Sequence, residues 1–378
     1  MKKVLILAND NSTIYNFRRE LLGRLREEGY EVFVSVPPHQ RNAVFEKMGC
    51  RVLQTDISRK GTNPLKEWLV YREYLRLLRD VRPDVALTYT IKPNIYGSLA
   101  CRKMGIPYIN NVTGLGSMLQ RENIISKFFI FLQKLAFRKS YCVFFQNSSN
   151  MRYFKEKKAI GDRAALLPGS GVNLDLHKFC PYPPEEGGIR FIVVSRLRYD
   201  KGYEELFRAI ELLNERIKGI AEFHIVGWIE ERAYETRLRE LEKRLPIVYH
   251  GEISQEEVHE LIASSHCLIH PSHHEGMSNV MMEAAAAGRP LIASDIPGCR
   301  EIIDVNQTGF TFQVKSAEAL AGVIERFLSL SMPEREKMGR KGHMKMAKYF
   351  DRRIVVDAYI EKIAAICQRT ETTENVTV

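Results

Sequence analysis

The chain has 378 residues, 45% of them hydrophobic, which is long enough for two α/β domains that each have a core. Its seven cysteines are scattered without a C-x-x-C pair, which argues against a disulfide framework or a cysteine zinc site and favours a reducing compartment. The apolar run after the first three residues is too short for a signal peptide, and no uncharged stretch reaches membrane-spanning length.

The net charge of +10 is unevenly distributed along the chain. Residues 1–170 contain 29 Lys and Arg against 14 Asp and Glu, a net charge of +15, whereas the rest of the chain has a net charge of −5. The first part is therefore expected to face an anionic partner. No nucleic-acid recognition motif accompanies this charge, so we expect a phosphate-bearing small molecule or an anionic membrane surface, and no nucleic acid.

The chain begins with a predicted strand, a polar loop and a helix. Residues 4–8 are apolar, and the following helix repeats Phe17, Leu21 and Leu25 at four-residue spacing. The loop lacks G-x-G-x-x-G, which argues against a dinucleotide-dependent dehydrogenase. Side chains here could instead bind an acceptor phosphate, although an ordinary capped helix explains them equally well. These candidates are Thr13, Tyr15, Asn16 and Arg18.

Two further loops of the first domain follow predicted strands. Residues 85–88 lead into the sequence TIKPN, and residues 106–109 lead into VTGLG. Because the carboxyl ends of parallel strands line the crevice of an open α/β sheet, residues in both loops are expected to face it. The predicted crevice residues are Lys92, Asn94, Thr113 and Gly114.

Residues 124–139 are predicted to form an amphipathic basic helix, because basic residues recur on one stripe of an almost wholly apolar stretch. A buried helix with one wet face is the competing interpretation. The phenylalanines, however, extend beyond a single core-facing stripe, which is typical of helices that lie in a membrane interface. The predicted membrane contacts are Lys127, Phe128, Phe129, Phe131, Lys134 and Arg138.

A segment dense in proline and glycine, residues 171–188, predicts a linker between an N-terminal domain, 1–170, and a second domain, 189–350. The second domain restarts with a strand at 191–194, and Arg196 and Lys201 lie in the loop that follows. Two cations there could hold a diphosphate and offset charge on a leaving group, or could be an ordinary surface pair.

The stretch 270–298 combines a glycine turn, a capped helix, two spaced carboxylates and a buried strand. Ser278 or Asn279 is a good N-cap, and the free N–H groups of the helix start favour a diphosphate. Glu275 lies just outside the first turn and Glu283 lies one turn beyond Asn279, so the two carboxylates could reach different hydroxyls of one ligand. The alternative places both glutamates in solvent, but the alanine run and the apolar strand favour a packed segment.

This stretch resembles the signature of the retaining glycosyltransferases of family 4. The match consists of Glu275-x7-Glu283 with the preceding His270-Pro271-Ser272, the alanine run and the following Ser294-Asp295-Ile296-Pro297-Gly298. The resemblance implies the GT-B fold, which is an α/β fold of two Rossmann-like domains. It also implies that a C-terminal helix, predicted at 352–367, completes the first, acceptor-binding domain.

The resemblance also implies roles for individual residues. In family 4 the first glutamate contacts the donor sugar, the second holds the ribose of the nucleotide, and the intervening amides bind the diphosphate together with an arginine and a lysine. Catalytic roles therefore fall to Glu275, Arg196 and Lys201. Donor-binding roles fall to Glu283, Gly276, Met277, Ser278, Asn279 and Ser195. No metal or other cofactor is implied, and the ten histidines show no metal-ligand spacing.

The TIKPN and VTGLG loops resemble a subgroup of N-acetylgalactosaminyltransferases that act on undecaprenyl-diphosphate-linked sugars. The implied activity is metal-independent, retaining transfer of a hexose or an N-acetylhexosamine from a UDP-sugar to a polyprenyl-diphosphate-linked saccharide, on the cytoplasmic face of the membrane. Many relatives place a histidine near the reaction centre in this domain, and these loops have none. The alternatives are a sugar-nucleotide epimerase on the same fold and a nucleotide-sugar-binding partner without activity. The presence of Glu275, Glu283, Arg196 and Lys201 argues against the second alternative.

Overall fold

The computed structural model describes residues 1–55, 57, 63–114 and 124–376. The chain forms two compact units. The first comprises Met1–Ser170 with Arg353–Val378, and the second comprises Gly171–Arg352. Each unit contains one parallel sheet with helices between its strands, so the predicted α/β class with two Rossmann-like domains is confirmed.

In the first unit, seven described strands form a parallel sheet in the order β3-β2-β1-β4-β5-β6-β7. The strands are β1 (Lys3–Leu7), β2 (Glu31–Val36), β3 (Arg51–Gln54), β4 (Val85–Tyr89), β5 (Tyr108–Val112), β6 (Cys142–Phe145) and β7 (Ala164–Leu166). Residues of β1 and β4 are buried on both faces, which explains why these strands are continuously apolar rather than alternating.

The helices of the first unit follow the strands in sequence. They are α1 (Asn11–Phe17), α2 (Arg19–Glu27), α3 (Asn42–Lys47), α4 (Pro64–Val81), α5 (Ser98–Met104), α6 (Ile124–Phe137), α7 (Ser148–Glu156) and the C-terminal helix α14 (Arg352–Val376). A π-helical turn, Pro93–Gly97, precedes α5. The C-terminal helix packs Val355, Tyr359 and Ile363 into the core beside β1 and β6. It extends beyond the predicted end at residue 367.

In the second unit, six described strands form a parallel sheet in the order β10-β9-β8-β11-β12-β13. The strands are β8 (Ile189–Val194), β9 (Ala221–Val226), β10 (Ile247–Gly251), β11 (Cys267–His270), β12 (Leu291–Ser294) and β13 (Gly309–Phe312). The helices are α8 (Tyr203–Ile217), α9 (Ala233–Glu242), α10 (Gln255–Ser264), α11 (Asn279–Ala286), α12 (Ala317–Leu328) and α13 (Met332–Lys345). Two short turns, Tyr199–Lys201 and Met346–Phe350, complete the regular elements.

The stretch 171–188, which we predicted as a linker, belongs to the second unit. Val172 forms an isolated parallel bridge with Asp351, and the Cys180 amide donates a hydrogen bond to the Ala287 carbonyl. The hydroxyl of the buried Tyr182 donates to the His266 carbonyl at 3.1 Å. Proline and glycine therefore shape an extended segment that packs against this unit.

The part of the chain that the structure describes contains no helix with both the length and the apolarity needed to span a bilayer.

Candidate active site

The second sheet has a topological switch point between β8 and β11, where the strand order reverses. These two strands are neighbours, with Leu268 paired to Ile192. The loop after β8 carries the predicted cations, and the loop after β11 carries the predicted carboxylate. In open α/β sheets, ligands bind outside the carboxyl ends of strands at such a point. The site predicted from sequence therefore lies where this sheet favours a ligand.

Close backbone contacts hold the two loops together. Gly202 has φ of +77°, and a Cβ atom on it would lie 2.0 Å from the carbonyl oxygen of Pro271, so only glycine fits. The His273 amide also donates to the Asp200 carbonyl at 2.9 Å. Lys201 is thus anchored directly beside the loop that contains Glu275.

The central contact of the site is an ion pair between Lys201 and Glu275. Lys201 Nζ lies 2.6 Å from Glu275 Oε1, and the two side chains are 15% and 16% exposed. His270, the last residue of β11, places its Nε2 3.0 Å from the same carboxylate oxygen. The cluster is nearly buried, and each of its two charged side chains keeps a small exposed surface.

The environment keeps Glu275 ionised. Burial by itself would raise the pKa of this carboxyl group. The hydrogen bond with His270 and the charge of Lys201 outweigh burial and hold the pKa of Glu275 well below its usual range. At neutral pH the site therefore presents a fixed negative charge next to a fixed positive one.

The loop after Glu275 leads into the N-terminus of α11. Ser278 is the N-cap residue, as predicted, and its side chain makes no capping hydrogen bond. Met277 and Ser278 are buried, and Gly276 and Asn279 are half-buried. A buried Oδ1 of Asn279 accepts no hydrogen bond from the described residues. The first amides of this helix are thus not covered by a side-chain cap, and an anion is the partner that they favour.

Glu283 lies on α11, one turn beyond Asn279, and is 15% exposed. Burial raises its pKa to about 7, and Arg352 acts in the opposite direction. Its Oε1 is 3.9 Å from Nε2 of the buried His177. This carboxylate consequently differs from Glu275, which has a lysine in direct contact.

The two remaining predicted donor residues lie at the end of β8. Arg196 is paired with Glu230 at 2.9 Å, with its guanidinium 5.8 Å from the centre of the Trp228 ring. The Ser195 hydroxyl is 3.0 Å from the Tyr203 hydroxyl. Lys201 therefore joins Glu275 in this structure, whereas Arg196 is paired with a different, half-exposed acid.

The first unit places three predicted acceptor residues on α1. Thr13 donates a hydrogen bond to Asp10 at 2.7 Å. The Tyr15 ring is within 5 Å of the guanidinium groups of Arg19 and Arg41. Thr13, Tyr15 and Asn16 are half-buried, so each keeps some surface.

The predicted role of Arg18 in binding an acceptor phosphate does not fit its position. Its side chain is 1% exposed and lies against the rings of Tyr89 and Tyr359. Its Nη1 donates to the Phe17 carbonyl at 2.7 Å. Arg18 joins α1 to α2 and is buried because Tyr89 of β4 and Tyr359 of the C-terminal helix cover its guanidinium.

Lys92 and Asn94 follow β4 as predicted, but both are engaged within the fold. Lys92 Nζ forms a nearly buried ion pair with Glu67 at 2.7 Å. Asn94 donates to the Asn111 carbonyl at 2.8 Å and accepts from the Thr88 hydroxyl at 2.6 Å. These side chains connect β4, β5 and α4 rather than face a ligand. Of the VTGLG loop, Thr113 and Gly114 are half-buried, and the next residues lie outside the described part.

Helix α6 has an unusual distribution of polar and apolar residues. Its buried side includes Ser126, Gln133 and Ala136, whereas Phe128 and Phe131 are 56% and 54% exposed. Phe129 is half-buried and packs on the core of the unit. The basic residues Lys127, Lys134 and Arg138 are all exposed. Of the predicted membrane contacts, only Phe129 therefore turns towards the protein.

Sequence reasoning missed the contact between His270 and Glu275. The sequence assigns His270 no role of its own, because the histidines show no metal-ligand spacing. Its position at the end of a strand, five residues before the glutamate, is a signal that could have found the contact. A loop this short keeps the two side chains close to each other. His177 and His259 near Glu283 were also missed, because they are distant in sequence.

The two domains of the chain match two glycosyltransferase families, and the fold is of the GT-B type. Residues 180–344 match the family described as glycosyl transferases group 1, and residues 3–147 match the glycosyl transferase 4-like family. The chain belongs to the glycosyltransferases that combine these two domains. The family predicted from the sequence is thus confirmed.

One curated relative aligns along almost the whole chain. It is the N,N'-diacetylbacillosaminyl-diphospho-undecaprenol alpha-1,3-N-acetylgalactosaminyltransferase of Campylobacter jejuni, 25% identical over 380 residues, which covers 95% of this chain and 97% of that protein. The length and domain order of the two proteins are therefore shared.

Two solved structures show the same fold. A glycosyltransferase from Rickettsia africae superposes with a TM-score of 0.82 at 19% identity, covering 97% of this chain and 98% of that one. HepE of Anabaena, crystallised with UDP and glucose, has a TM-score of 0.78 at 14% identity, covering 97% and 100%. At these identities the likeness concerns the fold.

Proposed function

We propose that the chain is a retaining, metal-independent glycosyltransferase that moves an N-acetylhexosamine or a hexose from a UDP-sugar to a polyprenyl-diphosphate-linked saccharide. The observation that carries this proposal is the cluster of Lys201, Glu275 and His270 beside the N-terminus of α11. The name of the Campylobacter relative supports the acceptor class, and the UDP and glucose bound to HepE support the donor class.

The diphosphate of the donor binds at the start of α11. The uncapped amides after Gly276 and the positive end of the helix dipole attract its oxygens. Lys201, held next to this helix, supplies a full positive charge. When the bond between the anomeric carbon and the diphosphate oxygen breaks, this charge stabilises the UDP that leaves. A lysine thus does here what a metal ion does in other transferases.

Arg196 adds a second cation to the diphosphate. It pairs with Glu230, and the side chains of Arg196 and Glu230 are 41% and 33% exposed. Ion pairs of this exposure contribute little to the stability of the fold. Exchanging Glu230 for a doubly charged diphosphate is therefore favourable. This exchange brings Arg196 into the role that the sequence assigned to it.

Glu275 acts on the donor sugar. Its carboxylate stays ionised beside Lys201 and orients the sugar by accepting hydrogen bonds from its hydroxyls. Its negative charge also stabilises the positive charge that develops at the anomeric carbon as UDP departs. The acceptor hydroxyl oxygen then bonds to that carbon and gives its proton to the departing diphosphate oxygen, and the sugar keeps its anomeric configuration.

Glu283 binds the ribose of the nucleotide. It lies one turn along α11 from the diphosphate-binding amides, and its carboxylate is nearly buried. A buried carboxyl group gains stability from hydroxyl partners, and the two ribose hydroxyls supply them. Nucleotide affinity, rather than turnover, is the property that depends on this residue.

The acceptor and the membrane are bound by the first unit. Residues 1–170 carry a net charge of +15, which suits a diphosphate-linked acceptor among anionic lipids. On α6, Phe128 and Phe131 point outward while Ser126 and Gln133 point inward. An apolar outward side flanked by Lys127 and Lys134 fits the interface of an anionic membrane, on its cytoplasmic face.

The decisive experiment incubates the purified full chain with a panel of UDP-sugars and a polyprenyl-diphosphate-linked saccharide. The expected product is the acceptor with one added sugar by mass, formed equally well after treatment with EDTA. The matched control is Glu235→Gln, which changes an exposed acid on α9 that is paired with Arg239 and should retain activity. Epimerised UDP-sugar formed without acceptor would contradict the proposal, as would loss of activity on chelation with rescue by Mn²⁺.

A further inference from the structure

A cluster of two histidines and a glutamate lies beside the central site. His177 comes from the stretch before β8, His259 from α10 and Glu283 from α11. One potential ligand atom from each residue lies within 4.8 Å of the others. The centroids of the two imidazole rings are 4.0 Å apart, and the ring planes meet at 67° in an edge-to-face arrangement. The fold thus gathers three metal-binding side chains from three separate segments.

The nitrogen atoms of this cluster are available to a metal. The Nε2 atom of His259 is buried and has no hydrogen-bond partner among the described residues. A buried polar atom without a partner is costly, so a ligand that bonds to this nitrogen removes that cost. His177 presents its Nε2 to Glu283 at 3.9 Å, beyond hydrogen-bond distance.

The donor set selects the class of metal. Two imidazoles and one carboxylate form a common zinc site, which keeps a further position open for water or substrate. Ligand atoms around tetrahedral zinc lie about 3.4 Å apart at bond lengths near 2.1 Å, so shifts of about 1 Å suffice here. Mg²⁺ is disfavoured because it takes oxygen ligands.

One neighbouring charge limits the affinity. The Arg352 guanidinium acts on both His177 and Glu283, and a dication near it is repelled. Nε and Nη2 of Arg352 donate to the Gly171 carbonyl, so this cation is held in place by the backbone. The expected affinity for zinc is accordingly micromolar rather than that of a structural zinc site.

We propose that His177, His259 and Glu283 form an inhibitory site for a divalent transition metal of the zinc type, which binds only in the absence of nucleotide. The exclusion rests on the proposed function, because it gives the Glu283 carboxylate to the ribose. A metal held by the same carboxylate blocks the ribose position. The site therefore couples transferase activity to free zinc, while the transfer reaction itself uses no metal.

The first test titrates Co²⁺ alone into the EDTA-treated full chain without nucleotide. We expect saturable binding of one ion with the visible absorption of four- or five-coordinate cobalt, and displacement by Zn²⁺ but not by millimolar Mg²⁺. His259→Gln should weaken binding at least tenfold. His250→Gln is the matched control, since His250 pairs with His224 elsewhere in the same unit, and it should bind cobalt as the wild type does.

The outcome that overturns the site is equal binding by His259→Gln and wild type, or loss of binding in His250→Gln. Thermal melting confirms that each variant is folded, and His177→Gln provides a second variant that should also lose the cobalt spectrum. If none of these proteins gives a saturable spectrum, the three residues do not form a metal site.

The second test separates the metal site from the proposed function. Zn²⁺ should inhibit transfer competitively with the UDP-sugar, and inhibition should disappear in His259→Gln while its turnover without metal is unchanged. Uridine, which has the ribose but no diphosphate to chelate the ion, should likewise displace Co²⁺. Cobalt binding that depends on His259 but resists saturating uridine would overturn the exclusion and the ribose role of Glu283, and leave the metal site standing. Cobalt binding with no transfer to any acceptor would contradict the proposed function alone.

Discussion

The two sheets carry comparable loops at the carboxyl ends of their strands, and they treat the polar residues of these loops differently. In the second unit, Lys201 and Glu275 pair with each other directly before the N-terminus of α11. In the first unit, Lys92 pairs with Glu67 from α4, and Asn94 joins β4 to β5. Both loops thus hold a nearly buried lysine–glutamate pair, and the difference lies beside the pair. Glu275 adjoins the start of α11, where no side chain caps the amides, whereas the residues around Lys92 bond to other parts of the fold.

The largest expected effect separates Glu275 from the structural acid Glu67. Glu275→Gln should lower kcat by about 10²–10³-fold, the range found when a single electrostatic contact to a transition state is removed, while UDP still binds. Glu67→Gln should leave kcat within twofold. Steady-state kinetics with calorimetric UDP binding measures both. An equal loss of kcat in the two variants would contradict the claim that Glu275 acts in the reaction and Glu67 only in the fold.

The two lysines give the next comparison. Lys201→Ala should lose roughly 2–4 kcal/mol of transition-state stabilisation in kcat/KM, because a charge aimed at the departing diphosphate is removed. Lys92→Ala should instead lower the free energy of unfolding by roughly 3 kcal/mol, since it leaves Glu67 nearly buried without its cation. Urea unfolding and kinetics on both proteins check this. Full activity of Lys201→Ala would contradict the diphosphate role.

A smaller effect is expected at Glu283. Glu283→Gln should weaken UDP binding by roughly 1–3 kcal/mol, the range for hydrogen bonds to a carboxyl group with a pKa of about 7, which is only partly ionised at neutral pH. The kcat at saturating donor should be nearly unchanged. Calorimetry with UDP and uracil separates the ribose contribution, because uracil binding should not change. A large fall in kcat at saturating donor would instead give Glu283 a role in the chemical step.

The smallest effect per residue concerns the membrane. Phe128→Ser and Phe131→Ser together with Lys127→Glu and Lys134→Glu should release the protein from anionic vesicles, since each basic residue contributes about 1 kcal/mol near such a surface. The matched control on α8 is Leu212→Ser with Arg208→Glu, which changes an exposed apolar residue and a basic residue of the second unit. Sedimentation of the α6 variant at the wild-type level would exclude this surface.

Local pattern was sufficient for much of the fold and for the donor side of the site. Apolar runs of four to six residues mark buried parallel strands, and the N-cap at Ser278 with its alanine-rich helix depends on neighbours in sequence. The resemblance assigns Lys201 and Glu275 to one donor site, but not their direct contact, which depends on how closely Gly202 approaches Pro271.

The residues that could not be predicted are those whose partners come from distant segments. Arg18 is buried because Tyr359, on the C-terminal helix, covers it. Lys92 is neutralised by Glu67 from a helix two elements earlier. The grouping of His177, His259 and Glu283 has the same origin. The spacing of residues in the sequence does not indicate such contacts. A charged residue that is free in a loop therefore cannot be distinguished by sequence from one that is paired in the core.

The central claim is that the nucleotide-sugar is bound by the second unit alone, at the loops after β8 and β11. Amide hydrogen exchange of the full chain with and without UDP tests it most directly. The account predicts slower exchange in peptides that cover residues 195–202 and 275–283, and unchanged exchange at residues 89–98. Protection at residues 89–98 without protection at residues 275–283 would contradict it.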